Sequence, residues 1–452
     1  MFTDDDAAGG SRWRELIRVL FQYYRRDMRD AREQRELHYP KTHRNHIQKT
    51  VPIIHRIARE LATLYVRPPS REYDAAIGEA VSERINAAMR SAEANKVLRI
   101  AHEQMVVMNN STVWVWPVPD SRTVRLLVPP PHDQEVQMGD PTSTREDDAE
   151  VWWLRLPVGH DPNSGLATHA VARITKDTAV WSDGPAEMKG KGVWLDDGTN
   201  PLGRIPVIRF KGSEPAPGEF WCPIAEDLLD AQRGINHMMT DLALVARMQG
   251  HGQAVVKGMP GAAAAEMELG PETVIGLPDQ DGDFSFVQAK PDLAGYQGVL
   301  DHYLRAVIST NGLNPATVIK SSAITAVAKQ MEIIDREVER KRTIVEFERG
   351  EQRLYDLMSG WMNWMGGSDV LPESRVTVRY HDTQMPADPL HHAQAMKMMI
   401  ELGLTSPARE YAKIQGISLE EARRAVVAIR EETAEAAGVV AEAPPPRLAE
   451  VV

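Results

Sequence analysis

A short acidic run has the carboxylate spacing that could bind a cation. Asp279, Asp281 and Asp283 surround Gly282, and alternating carboxylates beside a glycine resemble the start of a calcium-binding loop. In such a loop the glycine has a fixed position and a glutamate completes the ligand set, and neither condition is met here. The sequence therefore favours a hairpin turn at Asp281-Gly282 over a calcium site.

Histidines supply the next candidate chemistry, which is zinc binding. His38, His43 and His46 lie close in sequence, but their spacing does not place them on one face of a helix. The chain also lacks the Gly-x-x-x-x-Gly-Lys-Ser/Thr loop that holds nucleotide phosphates and the Gly-x-Ser-x-Gly turn of many hydrolases. We therefore predict no catalytic, cofactor-binding or metal-binding residues and a protein that is not an enzyme.

Composition limits the possible partners. The 452 residues carry a formal net charge of -12, so most of the surface should repel nucleic acid and anionic membranes, and any DNA contact should be local. The hydrophobic content of 42% is enough for real cores. A lone cysteine, Cys222, excludes an intramolecular disulfide and indicates a reducing compartment, and no apolar run is long enough to span a bilayer.

Two helices with heptad spacing stand in the middle of the chain, and the elements around them must position them. Their apolar residues alternate by three and four, which predicts a narrow seam for side-by-side helix packing. The first seam contains Ile224, Leu228, Ala231, Ile235, Met238, Leu242 and Val245, and the second contains Leu293, Tyr296, Leu300, Tyr303 and Val307. We expect each seam to meet a neighbouring subunit, because an isolated chain would leave it exposed to water.

The N-terminal part reads as helices followed by strands. Helical spacing runs over residues 11–37, from Thr50 to the stop at Arg67-Pro68-Pro69, and over about 74–108. Alternating residues then predict an antiparallel β region of roughly a hundred residues. Its strands include 113–116, 124–128, 151–156, 171–181 and 205–210.

A much longer helix follows the second seam. Ser321 or Ser322 is a suitable cap, and helical spacing continues to about Trp364, a length of about 60 Å, with Gly350 as a candidate kink. A strand at 375–380 is predicted to return to the β region. Short helices between about 389 and 432 complete the predicted fold.

This order of elements, together with several short sequence words, resembles the portal proteins, or head-to-tail connectors, of long-tailed (siphovirus-like) bacteriophages. The resemblance covers nearly the whole chain, but the Trp-rich β region with Pro129-Pro130-Pro131 has no residue-by-residue match. The words are Gly203-Arg204-Ile205-Pro206-Val207, Ser321-Ser322-Ala323-Ile324, Pro386-Ala387-Asp388, Leu402-Gly403-Leu404-Thr405-Ser406 and Gly416-Ile417-Ser418-Leu419-Glu420-Glu421-Ala422.

The resemblance implies an α+β, mainly α, portal fold that assembles as a ring of about twelve subunits. The implied parts are a disordered N-terminus (1–10), a wing (11–222), stem helix 1 (223–250), a β clip (251–290), stem helix 2 (291–311), a tunnel loop (312–322), a long helix and return strand (323–385), a helical crown (386–434) and a disordered tail (435–452).

The same resemblance implies the partners and the location. The ring would occupy one vertex of the capsid in the virion, after assembly in the host cytoplasm. It would contact the major capsid protein, the terminase packaging motor and a head-tail adaptor, while double-stranded DNA passes through its centre. No cofactor and no membrane contact are expected.

Charge suggests how such a conduit would work. A wall that neutralised many phosphates would hold DNA too tightly to let it slide, so the channel should be neutral to acidic. On both predicted stem helices the acidic residues outnumber the basic ones. The acidic residues are Glu226, Asp227, Asp230, Asp241, Asp292 and Asp301, and the basic ones are Arg233, Arg247 and Arg305. Lys320, with Asn314 and Thr317, is a candidate cationic contact in the tunnel loop, although a solvated loop lysine is the alternative.

Two other classes of function remain open at the level of sequence. A nuclease would need clustered carboxylates for metal ions and would cleave DNA in the presence of magnesium. A smaller virion adaptor or scaffold would be a monomer or dimer in solution. Particle size therefore separates these alternatives from a ring.

Overall fold

The computed structural model describes residues 8–39, 49–74, 77–160, 167–250, 253–257, 274–277, 284–287, 293–311, 326–366, 371–381, 389–415 and 419–436. The chain is α+β and divides into two compact units, which we call the body (Met1–Val378) and the C-terminal unit (Arg379–Val452). None of the described helices combines the length and apolar character that crossing a bilayer requires.

The N-terminal helices are shorter than the sequence predicted. The helix predicted over 11–37 is two helices, α1 (Ala8–Tyr24) and α2 (Arg29–His38), because Arg26 adopts a left-handed backbone with φ of 61°. Helix α3 (Ile53–Leu61) ends six residues before the predicted stop at Arg67.

The third predicted helical region is also divided. Strand β1 (Ser70–Tyr73) precedes it, and the region itself consists of helices α4 (Glu79–Ser91) and α5 (Ala94–Met108). The left-handed conformation of Glu93, with φ of 52°, separates the two helices.

The predicted β region is confirmed as two antiparallel sheets. Strands β2 (Asn110–Val118), β3 (Thr123–Leu127) and β8 (Val207–Lys211) form one sheet in the order β3-β2-β8. Strands β4 (Gln134–Met138), β5 (Ala149–His160), β6 (Ala167–Ile174) and β7 (Ala179–Asp183) form the other in sequence order. Trp114 and Trp152 fill the core shared by the two sheets, with ring centroids 5.5 Å apart in an edge-to-face arrangement.

Two helices flank a small mixed sheet in the middle of the chain. Helix α6 (Glu226–Gly250) precedes strands β9 (Gln253–Lys257), β10 (Val274–Leu277) and β11 (Phe284–Val287), and helix α7 (Leu293–Thr310) follows them. Strand β9 is central, with β10 parallel to it and β11 antiparallel.

This strand order corrects the hairpin predicted at Asp281-Gly282. Strands β10 and β11, which precede and follow that dipeptide, lie on opposite sides of β9 and therefore do not pair with each other. The aspartates around Gly282 themselves lie outside the described residues.

The long helix is present as α8 (Ala326–Trp364), and its predicted cap at Ser321 or Ser322 lies outside the described residues. The helix continues without interruption through Gly350, the candidate kink. A Cβ atom at this position would collide with the Phe210 ring, so the glycine allows the helix to approach β8 closely.

The return strand β12 (Val376–Arg379) exists, but it pairs with β1 and not with the Trp-rich sheets. The prediction of its partner is wrong because the sequence pattern predicts no strand at Ser70–Tyr73. The body therefore ends beside a strand that precedes α4.

The C-terminal unit consists of helices in its described part. These are α9 (Pro389–Glu401), α10 (Pro407–Gln415) and α11 (Leu419–Ala436). Helices α10 and α11 pack against each other. Among the described residues of this unit, Ala422 is the only buried hydrophobic side chain.

Candidate functional site

The candidate site is the pair of helices α6 and α7, and both helices contribute buried residues to the core of the body. Leu228, Ile235, Leu300 and Val307 are buried in one cluster with residues of α1, α3 and α5. The helices touch at Gly234, where a Cβ atom would lie 3.3 Å from the Tyr303 hydroxyl. Absence of a side chain at Gly234 thus lets α7 approach α6.

These contacts correct the expectation that an isolated chain would leave both seams exposed. Helices of the same chain already bury Leu228, Ala231, Ile235, Leu300 and Val307, so their burial requires no neighbouring subunit. The remaining seam residues differ. Ile224, Met238, Leu242 and Tyr303 are partly buried in the same cluster, Val245 and Leu293 are half-buried, and Tyr296 is exposed.

A buried ion pair fixes α6 to α2. The Arg233 guanidinium donates to both oxygens of Asp30, at 2.5 and 3.0 Å, and the Tyr23 hydroxyl donates to the same carboxylate at 2.8 Å. Burial and the nearby Asp30 charge raise the pKa of Tyr23 well above its usual range. Hydrogen bonding to Asp30 raises the pKa of Arg233, so the guanidinium stays charged.

Gln232 holds the start of α3. Its side-chain oxygen accepts hydrogen bonds from the amides of Ile53 and Ile54 at 3.0 and 3.2 Å, and its nitrogen donates to the Val51 carbonyl at 2.7 Å. The first amides of a helix have no partner within the helix, so Gln232 supplies a cap from a residue 179 positions away. Asn236 adds a bond by accepting from the Val51 amide at 3.1 Å.

A second set of contacts lies one turn further along α6. The Tyr39 hydroxyl donates to Asp241 at 2.7 Å, and the rings of His38 and His237 meet edge to face with centroids 5.0 Å apart. Burial, with a further contribution from His38, lowers the pKa of His237. Hydrogen bonds and ring contacts therefore link α6 to the N-terminal segment over several turns.

The exposed charges on this helix pair are mainly acidic. Asp227, Asp230 and Asp301 are exposed, while Glu226 pairs with Arg12 at 2.8 Å. Arg233 is committed to Asp30 and is therefore not available to hold a phosphate. The side chains of Arg247 and Asp292 lie outside the described part, as do Asn314, Thr317 and Lys320 of the predicted tunnel loop.

Charged contacts also connect α8 to the rest of the body. Arg71 and Glu351 form a two-point ion pair at 2.7 and 2.8 Å, and the Tyr65 hydroxyl donates to the same carboxylate at 3.0 Å. Burial alone would lower the pKa of Arg71, but the charge and hydrogen bonds of Glu351 raise it well above its usual range.

A charged cleft of about 460 Å³ lies where α8 meets the loop before β5. Arg349 pairs there with Glu146 at 2.6 Å, and Arg353 pairs with Asp147 at 2.6 Å. These pairs span more than 200 residues of sequence, so no local signal could have revealed them. Cations and carboxylates line the cleft in nearly equal number, and their pairs connect α8 to the loop before β5.

The described residues contain no group of three or more histidine, cysteine or acidic side chains arranged to hold a metal ion. Cys222 is fully buried, and its thiol donates to the Ser213 carbonyl at 2.9 Å.

No protein-family model matches the sequence, and no curated protein matches it. Two solved structures are similar in fold. The first is a chain of the neck of an empty gene transfer agent particle, with a TM-score of 0.45 and 11% identity over 82% of this chain and 91% of that chain. The second is a chain of the virion of a native gene transfer agent particle, with a TM-score of 0.41 and 10% identity over 80% and 89%. Likeness at this level does not by itself assign a function.

Proposed function

We propose that this chain is the subunit of a portal ring, a structural conduit for double-stranded DNA at one vertex of a phage-like capsid. One observation carries the proposal. Helices α6 and α7 are rooted in the core and carry a separate small sheet, while the first turns of α7 expose apolar side chains. Tyr296 is 51% exposed and Val299 is 61% exposed.

Exposed apolar side chains on a rooted helix suit contact with an identical neighbour. In a cyclic ring every subunit presents the same surface to the next one, so Tyr296 and Val299 of each copy would be covered once. The buried turns of α6 and α7 fix the angle at which this surface projects. A flexible attachment would allow many angles and would not favour closure.

The charge of the helix pair suits a conduit that does not grip DNA. Asp227, Asp230 and Asp301 are exposed and Arg233 is neutralised by Asp30, which leaves Arg305 as the exposed arginine among the described side chains of the two helices. A surface of this kind repels phosphates, so a duplex driven by a separate motor can slide past it. In this proposal the terminase motor and a head-tail adaptor dock on the ring, and the major capsid protein surrounds it.

Particle size is the first test of the proposal. Electron microscopy of the purified chain should show rings with a central hole, and mass photometry should show particles many times heavier than one subunit. The double variant Tyr296→Glu and Val299→Glu should yield single chains that remain folded. A matched control is Val345→Glu, since Val345 is 67% exposed on α8 and lies away from α7 in sequence.

The outcomes separate the proposal from its alternatives. Wild-type protein that stays a monomer or dimer at all concentrations would support a small adaptor or scaffold. Magnesium-dependent cleavage of DNA by the purified protein would support a nuclease. If the double variant with glutamates on α7 still forms rings, the surface around Tyr296 and Val299 is not the contact between subunits.

The proposed tunnel loop has its own test. Lys320, with Asn314 and Thr317, is proposed to touch the passing duplex between the second seam helix and α8. Lys320→Glu should slow packaging or ejection while rings still form. Unchanged packaging and ejection rates would leave Lys320 as a solvated loop residue.

A further inference from the structure

A cluster of arginines at the junction of α1 and α2 stands out in a chain whose net charge is -12. Between residues 18 and 32 the sequence has five arginines and two aspartates. We call these five arginines the arginine patch. They are Arg18, Arg25, Arg26, Arg29 and Arg32, and all are exposed.

Helix geometry gathers these arginines on the outer side of the junction. Arg18 and Arg25 are seven residues apart and lie on one face of α1 and its continuation, about 10 Å apart along the axis. The opposite face, with Ile17, Leu20 and Tyr24, is buried in the core. Arg29 and Arg32 are three residues apart on the exposed face of α2.

The acidic groups around the arginine patch are mostly engaged. Asp30 is 3% exposed and paired with Arg233, and Asp27 accepts hydrogen bonds from Arg29. Glu103 accepts from the Tyr24 hydroxyl at 2.8 Å, and Arg99 lies 3.9 Å from it. Among the described residues, Glu15 and Glu33 are exposed carboxylates close in sequence to the patch without such a contact, and the charge of Glu33 acts on Arg29.

Arg18, Arg25 and Arg26 form no ion pair within the described structure. Exposed guanidinium groups at one junction repel one another only weakly in water, and an anionic partner would remove that repulsion. Arg25 also suits the negative end of the α1 dipole, but Arg18 is in the middle of the helix and Arg26 lies beyond its end, so the dipole explains one position only.

We infer that the arginine patch binds the phosphate backbone of duplex DNA. The sequence between residues 18 and 32 has arginines and no lysine or histidine. The planar guanidinium of arginine can donate two parallel hydrogen bonds to a phosphate. Two exposed helical faces with guanidinium groups spaced along them match a line of phosphates better than one compact anion. The buried side of the junction is fixed by the core and by the Asp30 ion pair, so the patch is rigid.

Such binding is compatible with sliding on the acidic helix pair because the two surfaces are different. The arginine patch lies on the outward faces of α1 and α2, whereas Asp227 and Asp230 lie on α6. The patch would give a local grip on DNA in a molecule whose remaining surface repels it. This inference does not depend on the ring, since the patch is complete within one chain.

Fluorescence anisotropy with a labelled duplex of about 20 base pairs tests the inference on the full-length protein across about 50 to 200 mM salt. The wild-type protein should bind with a steep salt dependence. The triple variant Arg18→Gln, Arg25→Gln and Arg26→Gln should reduce the slope of log affinity against log salt by about 3 and should weaken binding about 10-fold or more at low salt.

Control variants separate the patch from general charge. Arg423→Gln with Arg424→Gln removes two exposed arginines from α11 and should leave binding within about twofold. Replacing the three patch arginines by lysine should keep most of the salt slope while weakening binding, because charge remains and the fork is lost. Circular dichroism should show unchanged helix content for every variant.

The outcomes are decisive in both directions. Equal duplex affinity for the wild type and the glutamine variant would overturn the inference, as would tighter binding of poly-glutamate than of duplex, which would indicate an acidic protein partner. Rings in the electron microscope without patch-dependent DNA binding would refute the patch alone. Patch-dependent binding by a chain that never forms rings would refute the portal proposal alone.

Discussion

The body and the C-terminal unit use the same kinds of side chain in opposite ways. In the body, Leu354 and Leu357 on α8 are 0% exposed, whereas Leu402 and Leu404 of the C-terminal unit are 66% and 70% exposed. Burial of apolar area is the main source of folding free energy. The body therefore has a large source of stability within one chain, whereas the described part of the C-terminal unit has a small one.

Charged pairs repeat the contrast. The Arg71–Glu351 pair in the body has side-chain exposures of 7% and 0%, while Lys397 and Glu401 in the C-terminal unit are 78% and 64% exposed at 3.8 Å. A buried pair depends on both partners, whereas an exposed pair is weakened by water and salt. The buried pair therefore matters for the stability of the body, whereas the exposed pair contributes little to the C-terminal unit.

The largest expected effect comes from breaking the buried pair. Glu351→Gln removes the charge that compensates Arg71 and should lower the free energy of unfolding of the body by about 3–5 kcal/mol, because an uncompensated buried charge remains. Lys397→Met in the C-terminal unit should cost about 0–1 kcal/mol. Urea unfolding followed by tryptophan fluorescence measures the first, and circular dichroism measures the second.

A double variant provides the control for this prediction. Arg71→Met together with Glu351→Leu removes both charges and should recover much of the lost stability, since apolar pairs often replace buried ion pairs without loss. A loss as large as that of Glu351→Gln would show that packing, and not the unpaired charge, is the cause.

Leucine truncation compares the two units directly. Leu354→Ala leaves a cavity in the body and should cost about 2–5 kcal/mol, whereas Leu404→Ala should change the unassembled chain by less than about 0.5 kcal/mol. In assembled protein the second variant should instead shift the particle distribution toward smaller species. An equal cost for both leucines in the unassembled chain would erase the contrast between the units.

The sequence predicted the elements better than their ends and partners. Strand alternation found the two sheets, and heptad spacing found α6 and α7. Backbone reversals at Arg26 and Glu93 were missed because arginine and glutamate rarely adopt a left-handed conformation and give no turn signal. Pairing of β12 with β1 was missed for a related reason, since Ser70–Tyr73 is too short to show alternation.

The candidate site was predictable only in its apolar half. Spacing identified Leu228, Ile235, Leu300 and Val307, but it could not show that α1 and α3 of the same chain cover them. The polar contacts of Asp30 and Gln232 join residues about 180 to 200 positions apart, and no local pattern encodes such a pairing. Contacts with other helices of the same chain therefore decide which seam residues stay exposed.

Two helical glycines give a smaller test of how tightly the body is packed. Gly350→Ala places a methyl group against the Phe210 ring and should cost about 1–3 kcal/mol through overpacking. Gly298→Ala meets nothing within 4 Å and should stabilise α7 by about 0.5–1 kcal/mol through helix propensity. Thermal unfolding measures both, and Phe210→Leu should relieve the first. A neutral Gly350→Ala would mean that α8 and β8 separate easily.

A pH dependence is also expected for the stability of the body. His102 is 2% exposed against Phe347, and burial, followed by the charge of Arg340, lowers its pKa to about 3. A histidine in the unfolded chain binds protons below about pH 6.5, so the unfolded state takes up the proton first as pH falls. Stability is therefore full above about pH 6.5 and is lost between there and pH 3.

Between pH 7 and pH 5 this histidine should remove about 1–2 kcal/mol from the unfolding free energy of the body. The pKa of His132 is lowered to about 4, first by burial and then by the charges of Arg18 and Arg155. This histidine therefore also reduces the unfolding free energy as the pH falls. Urea titrations at both pH values, compared between wild type and His102→Gln, isolate one residue because the other titrating groups cancel in the difference. Parallel pH curves for the two proteins would show that His102 is protonated without unfolding, which its burial against Phe347 argues against.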